Sequence, residues 1–263
     1  MTDQGRRVLR GAEVMLVCAR LQMAEIRTAW IIIGVTIFQP IVFLLVALLP
    51  SADRSAEAGT RVAVGVALSV SWSATAWGSA SVLRRERAMG TLARALAGLV
   101  DARLIVLGKG LGASLLSTVW ALATLAVTLV ALRQPVSLAN PGWLLLGFAV
   151  LLASGSAVGL LIGSVFVLTR YGPQVTAFLT FPVILLGGML IPPEILPTPL
   201  TWVSALISLR WLQEYLVTSA AGSPNLAALG YAVVLTVGYA AAGIGLFGGI
   251  VDRSRREGTL DLT

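Results

Sequence analysis

The sequence predicts an all-α polytopic membrane protein with six transmembrane helices, an N-terminal amphipathic interfacial helix and a re-entrant hairpin before the last helix. Three observations carry that expectation. Of the 263 residues, 57% are hydrophobic and only 12% charged, about half the charged share of a soluble domain, which leaves too little polar surface to cover a water-facing globule. The apolar residues are gathered into segments long enough to cross a bilayer. Lysine and arginine cluster on alternate connections, as they do in chains threaded through a membrane.

The first 27 residues form a cytoplasmic segment with a helical period. Val8, Leu9, Ala12, Met15, Leu16, Ala19, Met23 and Ile26 share one side, and Arg6, Arg10, Glu13, Arg20 and Arg27 lie on the other or at its edge. Such a helix suits the membrane interface, with Trp30 near the headgroups. The same pattern serves a helix packed on protein, and both readings stand. Arg6, Arg7 and Arg10 precede an apolar run, as in a signal peptide. That run, 28–49, is about 22 residues, longer than the roughly 7–15 of a cleavable segment, and reads as a retained span.

The remaining spans are expected at 62–83, 110–132, 143–168, 174–191 and 226–250, so that the six-helix domain covers 28–250 and a cytoplasmic tail covers 251–263. At about 1.5 Å per residue, 22 residues reach about 33 Å, enough for a hydrocarbon core of roughly 30 Å. Pro40 and Pro182 are expected to kink their spans locally. Gly155-x-x-x-Gly159-x-x-x-Gly163 and Gly245-x-x-x-Gly249 are small-residue stripes that permit close helix approach. They read as packing within one chain, with contact between subunits as the alternative.

Segment 192–215 differs. Pro192, Pro193, Pro197 and Pro199 exclude a continuous helix, because each removes a donor and clashes with the preceding turn. Beyond them, Leu200 to Tyr215 is apolar and aromatic, includes Arg210 and Glu214, and is short for a span. An outer hairpin entering the membrane partway, or lying on its surface, fits.

Charge orients the chain. With a cytoplasmic N-terminus, Arg6, Arg7, Arg10, Arg20, Arg27, Arg84, Arg85, Arg87, Arg94, Arg103, Lys109, Arg170, Arg253, Arg255 and Arg256 are inside. Arg54, Arg61, Arg133 and Arg210 are outside. A ratio of about four to one places both termini in the cytoplasm.

Several chemistries are excluded by residue content. There is no histidine, and Cys18 is the single cysteine, so disulfides, Cys/His zinc sites and imidazole-based triads are unavailable. A phosphate loop needs Gly-x-x-x-x-Gly-Lys-Ser/Thr. The single Gly-Lys pair, Gly108-Lys109, has Arg103 at the first glycine's place and Gly110 at the hydroxyl's. No ionisable residue falls near the middle of an expected span, which argues against a proton- or sodium-coupled carrier and points to an apolar or hydroxyl-lined path. Trp72, Thr75 and Trp77 on the second span and Thr176, Phe178 and Phe181 on the fifth are the candidate path residues; packing against helices or lipid is the plain alternative for each.

The cytoplasmic loop 84–109 mixes charge with helical spacing. Glu86-x-x-x-Gly90-Thr91-Leu92, followed by Leu96 and then Gly108-Lys109, resembles the cytoplasmic loop of type-2 ATP-binding-cassette transport permeases. Gly187-Gly188-Met189-Leu190-Ile191-Pro192-Pro193-Glu194-Ile195-Leu196-Pro197 is similar to the segment that ends the fifth span in that family. Two departures, Gly98-Leu99-Val100-Asp101 and Ser208-Leu209-Arg210, stand where the family often has proline and Asn-Pro. The resemblance implies that Glu86, Gly90, Thr91, Leu92 and Leu96 couple the chain to a cytoplasmic ATPase present in two copies. It implies a second permease chain, identical or related, and a cavity between them flanked by the second and fifth spans. ATP and magnesium would be bound by that ATPase, so no cofactor is expected in this chain; no nucleic-acid partner is expected, and membrane lipid is. The resulting expectation is a bacterial inner-membrane exporter of an amphipathic small molecule, such as an antibiotic or lipid-like compound. A non-transporting anchor or sensor subunit using the same ATPase contact is the alternative.

Overall fold

The computed structural model describes residues 3–28, 30–48, 55–88, 102–168, 178, 182–189 and 197–257. Within them the chain is helical, with no strand. In order, the helices are α1 (Asp3–Thr28), α2 (Trp30–Leu48), α3 (Ala56–Ala88), α4 (Ala102–Ala131), α5 (Pro141–Leu168), α6 (Thr198–Ala205), α7 (Ser208–Ala220) and α8 (Leu226–Glu257).

Three stretches, Leu107–Ala131, Pro141–Ser164 and Leu226–Gly249, are long and apolar enough to cross a membrane, and Thr36–Leu48 is a shorter apolar one. The three long stretches coincide with the expected third, fourth and sixth spans; Thr36–Leu48 covers only the later part of the expected first, and the expected second is not among them. Half of the expected fifth span, 174–191, falls outside the described residues. Helix α2 continues through Pro40, as membrane helices tolerate where neighbours satisfy the freed carbonyl.

Helix α3 is the axis of the bundle. It packs against α5, α4, α2 and α7, and every side chain from Gly65 to Ser73 is buried. A helix enclosed on all sides needs no uniformly apolar surface, provided that its polar groups are satisfied. Ser69 donates to the Gly65 carbonyl at 2.8 Å and Ser73 to that of Ser69 at 2.8 Å. Ser114, Ser156 and Ser164 turn back one helical turn in the same way on α4 and α5. These bonds satisfy hydroxyls inside their own helices and let most of a serine-rich segment occupy the centre of an apolar bundle; Ser71 Oγ is the exception, buried with no partner among the described residues.

Two apolar clusters flank α3. On one side Leu44, Ala63, Val66, Ala67, Val70, Ala121, Leu125 and Leu129 join α2, α3 and α4. On the other, Leu68, Trp72, Leu151, Met189, Leu209, Leu212, Tyr215, Leu216, Ala228 and Ala232 join α3, α5, α7 and α8. Each fully buried large side chain stabilises by about 1.5–3 kcal/mol relative to exposure in water. The outer surface carries the converse pattern, with Val130, Leu145 and Val234 among large apolar side chains left exposed.

Of the two readings of the N-terminal helix, packing on protein describes its inner face. Helix α1 lies along α4 in the same direction, with Gly11 near Leu104, Met15 at Gly108 and Ala19 at Gly112. A Cβ at Gly108 would fall 2.6 Å from the Met15 carbonyl oxygen, and one at Gly112 would meet the Ala19 carbonyl more closely still. Glycine at this four-residue spacing is what lets the two backbones touch. Leu16, Val17, Arg20 and Leu21 remain on the exposed side.

The two glycine stripes diverge. Gly155 presses on α3 within the chain, whereas Gly245 and Gly249 are exposed, with nothing within 4 Å of an added Cβ. The second stripe is therefore not packing within this chain.

Candidate functional site

Two regions of the bundle carry the residues of interest: the end of α3 and the seat of α6 and α7. Helix α3 is 33 residues long, about 50 Å at 1.5 Å per residue, and Glu86 lies in its last turn. Gly90, Thr91, Leu92 and Leu96 lie outside the described residues, as do Thr176 and Phe181. Helix α4 resumes at Ala102. Backbone contact at Gly108 and Gly112 ties α1 to the first half of α4.

About midway along α3 sit Trp72 and Thr75. Trp72 is 4% exposed and packs among Leu68, Leu151 and the α7 leucines. Thr75 is fully buried; its hydroxyl donates to the carbonyls of Ser71 and, at 3.2 Å, Trp72. A Cβ on Gly155 would come 2.5 Å from the Thr75 side chain, so α5 and α3 meet here without a gap. In the single chain both residues are core. Trp77 follows on α3, its side chain outside the described residues. Phe178 is 76% exposed, well placed to meet whatever surrounds the chain.

Next to Trp72 lies the end of the expected fifth span. Helical residues 182–186 stop at a turn in which Gly188 adopts φ +77, the left-handed conformation that glycine supplies at a helix end without strain. Met189 follows, buried, and its sulfur accepts from Ser69 Oγ at 3.0 Å. The Met189 carbonyl oxygen would stand 2.8 Å from a Cβ on Gly65. The Gly187-Gly188-Met189 motif thus delivers the chain against the middle of α3.

Helices α6 and α7 occupy the segment where the hairpin is expected. Pro197 and Pro199 suit the start of α6, where a missing donor costs nothing. Helix α6 ends at Leu206, Ile207 is extended, and α7 begins at Ser208. Ser208 Oγ lies 2.7 Å from Ser154 Oγ, with both residues buried. Ser154 is 13 residues from Pro141, roughly 20 Å along α5, near the middle of the apolar stretch Pro141–Ser164. At the other end of α7, the Ala220 carbonyl accepts from Ala139 N at 3.1 Å and Ser137 Oγ at 2.8 Å, beside the start of α5. Helix α7 therefore runs alongside the first half of α5. Ser204 Oγ donates to the Leu186 carbonyl at 2.6 Å and Tyr239 Oη to that of Leu206, which anchors the turn from both sides.

A polar and aromatic group borders this segment. Arg210 Nη1 donates to the Thr201 carbonyl at 3.2 Å, and its Cζ lies 5.1 Å from the Trp211 ring. Trp211 Nε1 donates to the Ala205 carbonyl at 2.9 Å, and the indole lies 4.6 Å from the Tyr231 ring of α8. Asn225 caps α8 by accepting from Ala227 and Ala228 N–H, and it donates to Glu214 Oε1 at 2.7 Å. Sequence reasoning missed this cap, for which an asparagine before an apolar run is the signal. The place of Arg210 beside Thr201 and Trp211 has no such signal, since it depends on how α7 packs.

Residues 13–220, well over half of the chain, match the family model described as ABC-2 type transporter. Among curated proteins, none matches the chain.

Proposed function

The chain belongs to the ABC-2 type transporter family, as a membrane permease component that works with an ATPase, and from that premise we propose that it exports an amphipathic small molecule, of antibiotic or lipid-like kind. Two permease chains, identical or related, enclose the path, and two copies of the ATPase bind the cytoplasmic face of a bacterial inner membrane. In this reading the chain spans six times with both termini inside, and the α6–α7 hairpin enters the membrane from outside to the level of Ser154.

One observation carries the mechanism: α3 runs unbroken from Ala56 to Ala88. It joins Glu86 in its last turn to the packed centre formed by Ser69, Trp72 and Thr75. Movement imposed on the segment 84–97 by an ATPase closing on nucleotide would reach the hairpin through Met189, Leu209 and Leu212, which pack on α3. A rigid element with two arrangements is the physical means by which one site biases another. Glu86, Gly90, Thr91, Leu92 and Leu96 are assigned to the ATPase contact. Trp77, Thr176, Phe178 and Phe181 are assigned to the path between chains, and Trp72 and Thr75 become path residues where α3 and α5 part during transport.

The test is co-reconstitution of the chain in vesicles with the ATPase that co-purifies from native membranes, followed by ATP-dependent movement of amphipathic fluorescent probes. Net movement that depends on ATP supports export. A stable complex that hydrolyses ATP and moves none of the probes favours the anchor or sensor reading.

A further inference from the structure

Arg210 occupies an unusual position for a full positive charge. It lies in the first turn of α7, two residues from Ser208, and so close to the level of Ser154 in the middle of α5. Its guanidinium is half-buried; of five N–H donors, one meets the Thr201 carbonyl, and the Trp211 ring lies beside the group. Among the described residues no carboxylate lies within ion-pair distance. Glu214, one turn further on, is exposed and holds Asn225 instead. The same helix that supplies the Thr201 carbonyl leaves large apolar side chains exposed: Trp202 is 75% exposed, Val203 47% and Leu206, just past its end, 65%.

A guanidinium that meets one carbonyl and one aromatic ring, with no carboxylate beside it among the described residues, keeps donors free for an anion. A planar donor fork matches a phosphate or carboxylate, which accepts two parallel hydrogen bonds from it. The exposed apolar side chains of α6 offer contact to a hydrocarbon chain. We infer that Arg210 and the Trp202–Leu206 face of the hairpin form a binding site for an anionic amphiphile, with the headgroup on Arg210 and the tail along α6. The inference deepens the exporter reading and rests on its placement of the hairpin within the membrane. The same chemistry comes from two sources, an acidic phospholipid of the bilayer or an anionic cargo leaving the path.

The test uses the full chain in phosphatidylcholine vesicles, with photo-crosslinkable phosphatidylglycerol, phosphatidylcholine or dodecyl phosphate as probes, and crosslinks mapped to residues 198–211. The site predicts that the phosphatidylglycerol or the dodecyl phosphate crosslinks there about fivefold more than phosphatidylcholine. Arg210→Gln removes the preference and Arg210→Lys keeps most of it. A preference for phosphatidylglycerol identifies bilayer lipid as the ligand, and one confined to dodecyl phosphate identifies cargo. Equal preference in the wild type and Arg210→Gln, or none in the wild type, overturns the site. Trp202→Ala, which leaves the charge in place, must lower total crosslinking while keeping the anionic preference. Leu206→Cys, made with Cys18→Ser, separates the two layers of the argument. If an impermeant thiol reagent labels it freely from outside, the membrane placement fails and takes the site with it. If it is protected while Arg210→Gln has no effect, only the site fails.

Discussion

Ser154 and Ser208 place their hydroxyl oxygens 2.7 Å apart in a region closed to solvent, so that the middle of α5 is fastened to the first turn of α7. The bond fixes where α7 sits along α5. Arg210 and Trp211, which follow Ser208 on α7, take their position from that pair.

Replacing either serine by alanine leaves the other hydroxyl buried without its partner, at a cost of about 1 kcal/mol, since hydrogen bonds between membrane helices average roughly 0.6 and reach about 1.7. Replacing both removes the orphan and recovers part of the loss. Unfolding of the solubilised chain, run as a double-mutant cycle, checks this. Strict additivity of the two single changes would show that the hydroxyls do not depend on each other.

Gly112 allows α1 and α4 to meet at the backbone of Ala19. Gly112→Val inserts three carbons where there is no room, and overpacking of that kind costs about 1–3 kcal/mol. Because α1 has an exposed outer side and packs mainly on α4, it is expected to lift away before the bundle opens. Hydrogen exchange should rise in residues 11–26 and change little in α3. Unaltered exchange in α1 would mean that the contact is not what holds it.

The Trp211–Tyr231 ring pair joins α7 to α8 at 4.6 Å, and the indole N–H adds a bond to Ala205. A cycle of Trp211→Leu and Tyr231→Leu should return a coupling of about 0.5–1.5 kcal/mol, the usual worth of an aromatic pair beyond its area. A value near zero would assign the contact to shape alone.

Much of this architecture was legible as a string of letters. The apolar runs marked α2 and α5 to within a few residues and the apolar parts of α4 and α8 as closely, while the polar ends of those two helices, from Ala102 and to Glu257, carry no hydropathy signal. The family resemblance at Glu86-x-x-x-Gly90-Thr91-Leu92 and at Gly187-Gly188-Met189 was legible too, and the family match covers both. Other features depend on three-dimensional register. The burial of Trp72 and Thr75 follows from α3 being enclosed on every side, and its serine-rich sequence, with Ser69, Ser71 and Ser73, gives no hint of that. The exposed Gly245 and the clamped Gly108 carry the same letter, and which one meets a neighbour is decided by helix rotation. Arg210 stood out as a charge in an apolar stretch, but its place is set by Ser208 finding Ser154, more than 50 residues away.

The central claim is that ATP-driven closure of a partner reaches this chain through the end of α3. It is tested most directly by Glu86→Lys in vesicles containing the chain and its co-purifying ATPase, with probe movement and ATP hydrolysis recorded together. If Glu86 meets a basic residue on the ATPase, reversal sets like charges together, which costs several kcal/mol; coupled movement should fall about tenfold or more while the ATPase alone keeps its basal rate. Transport and stimulated hydrolysis at wild-type levels in Glu86→Lys would contradict the account.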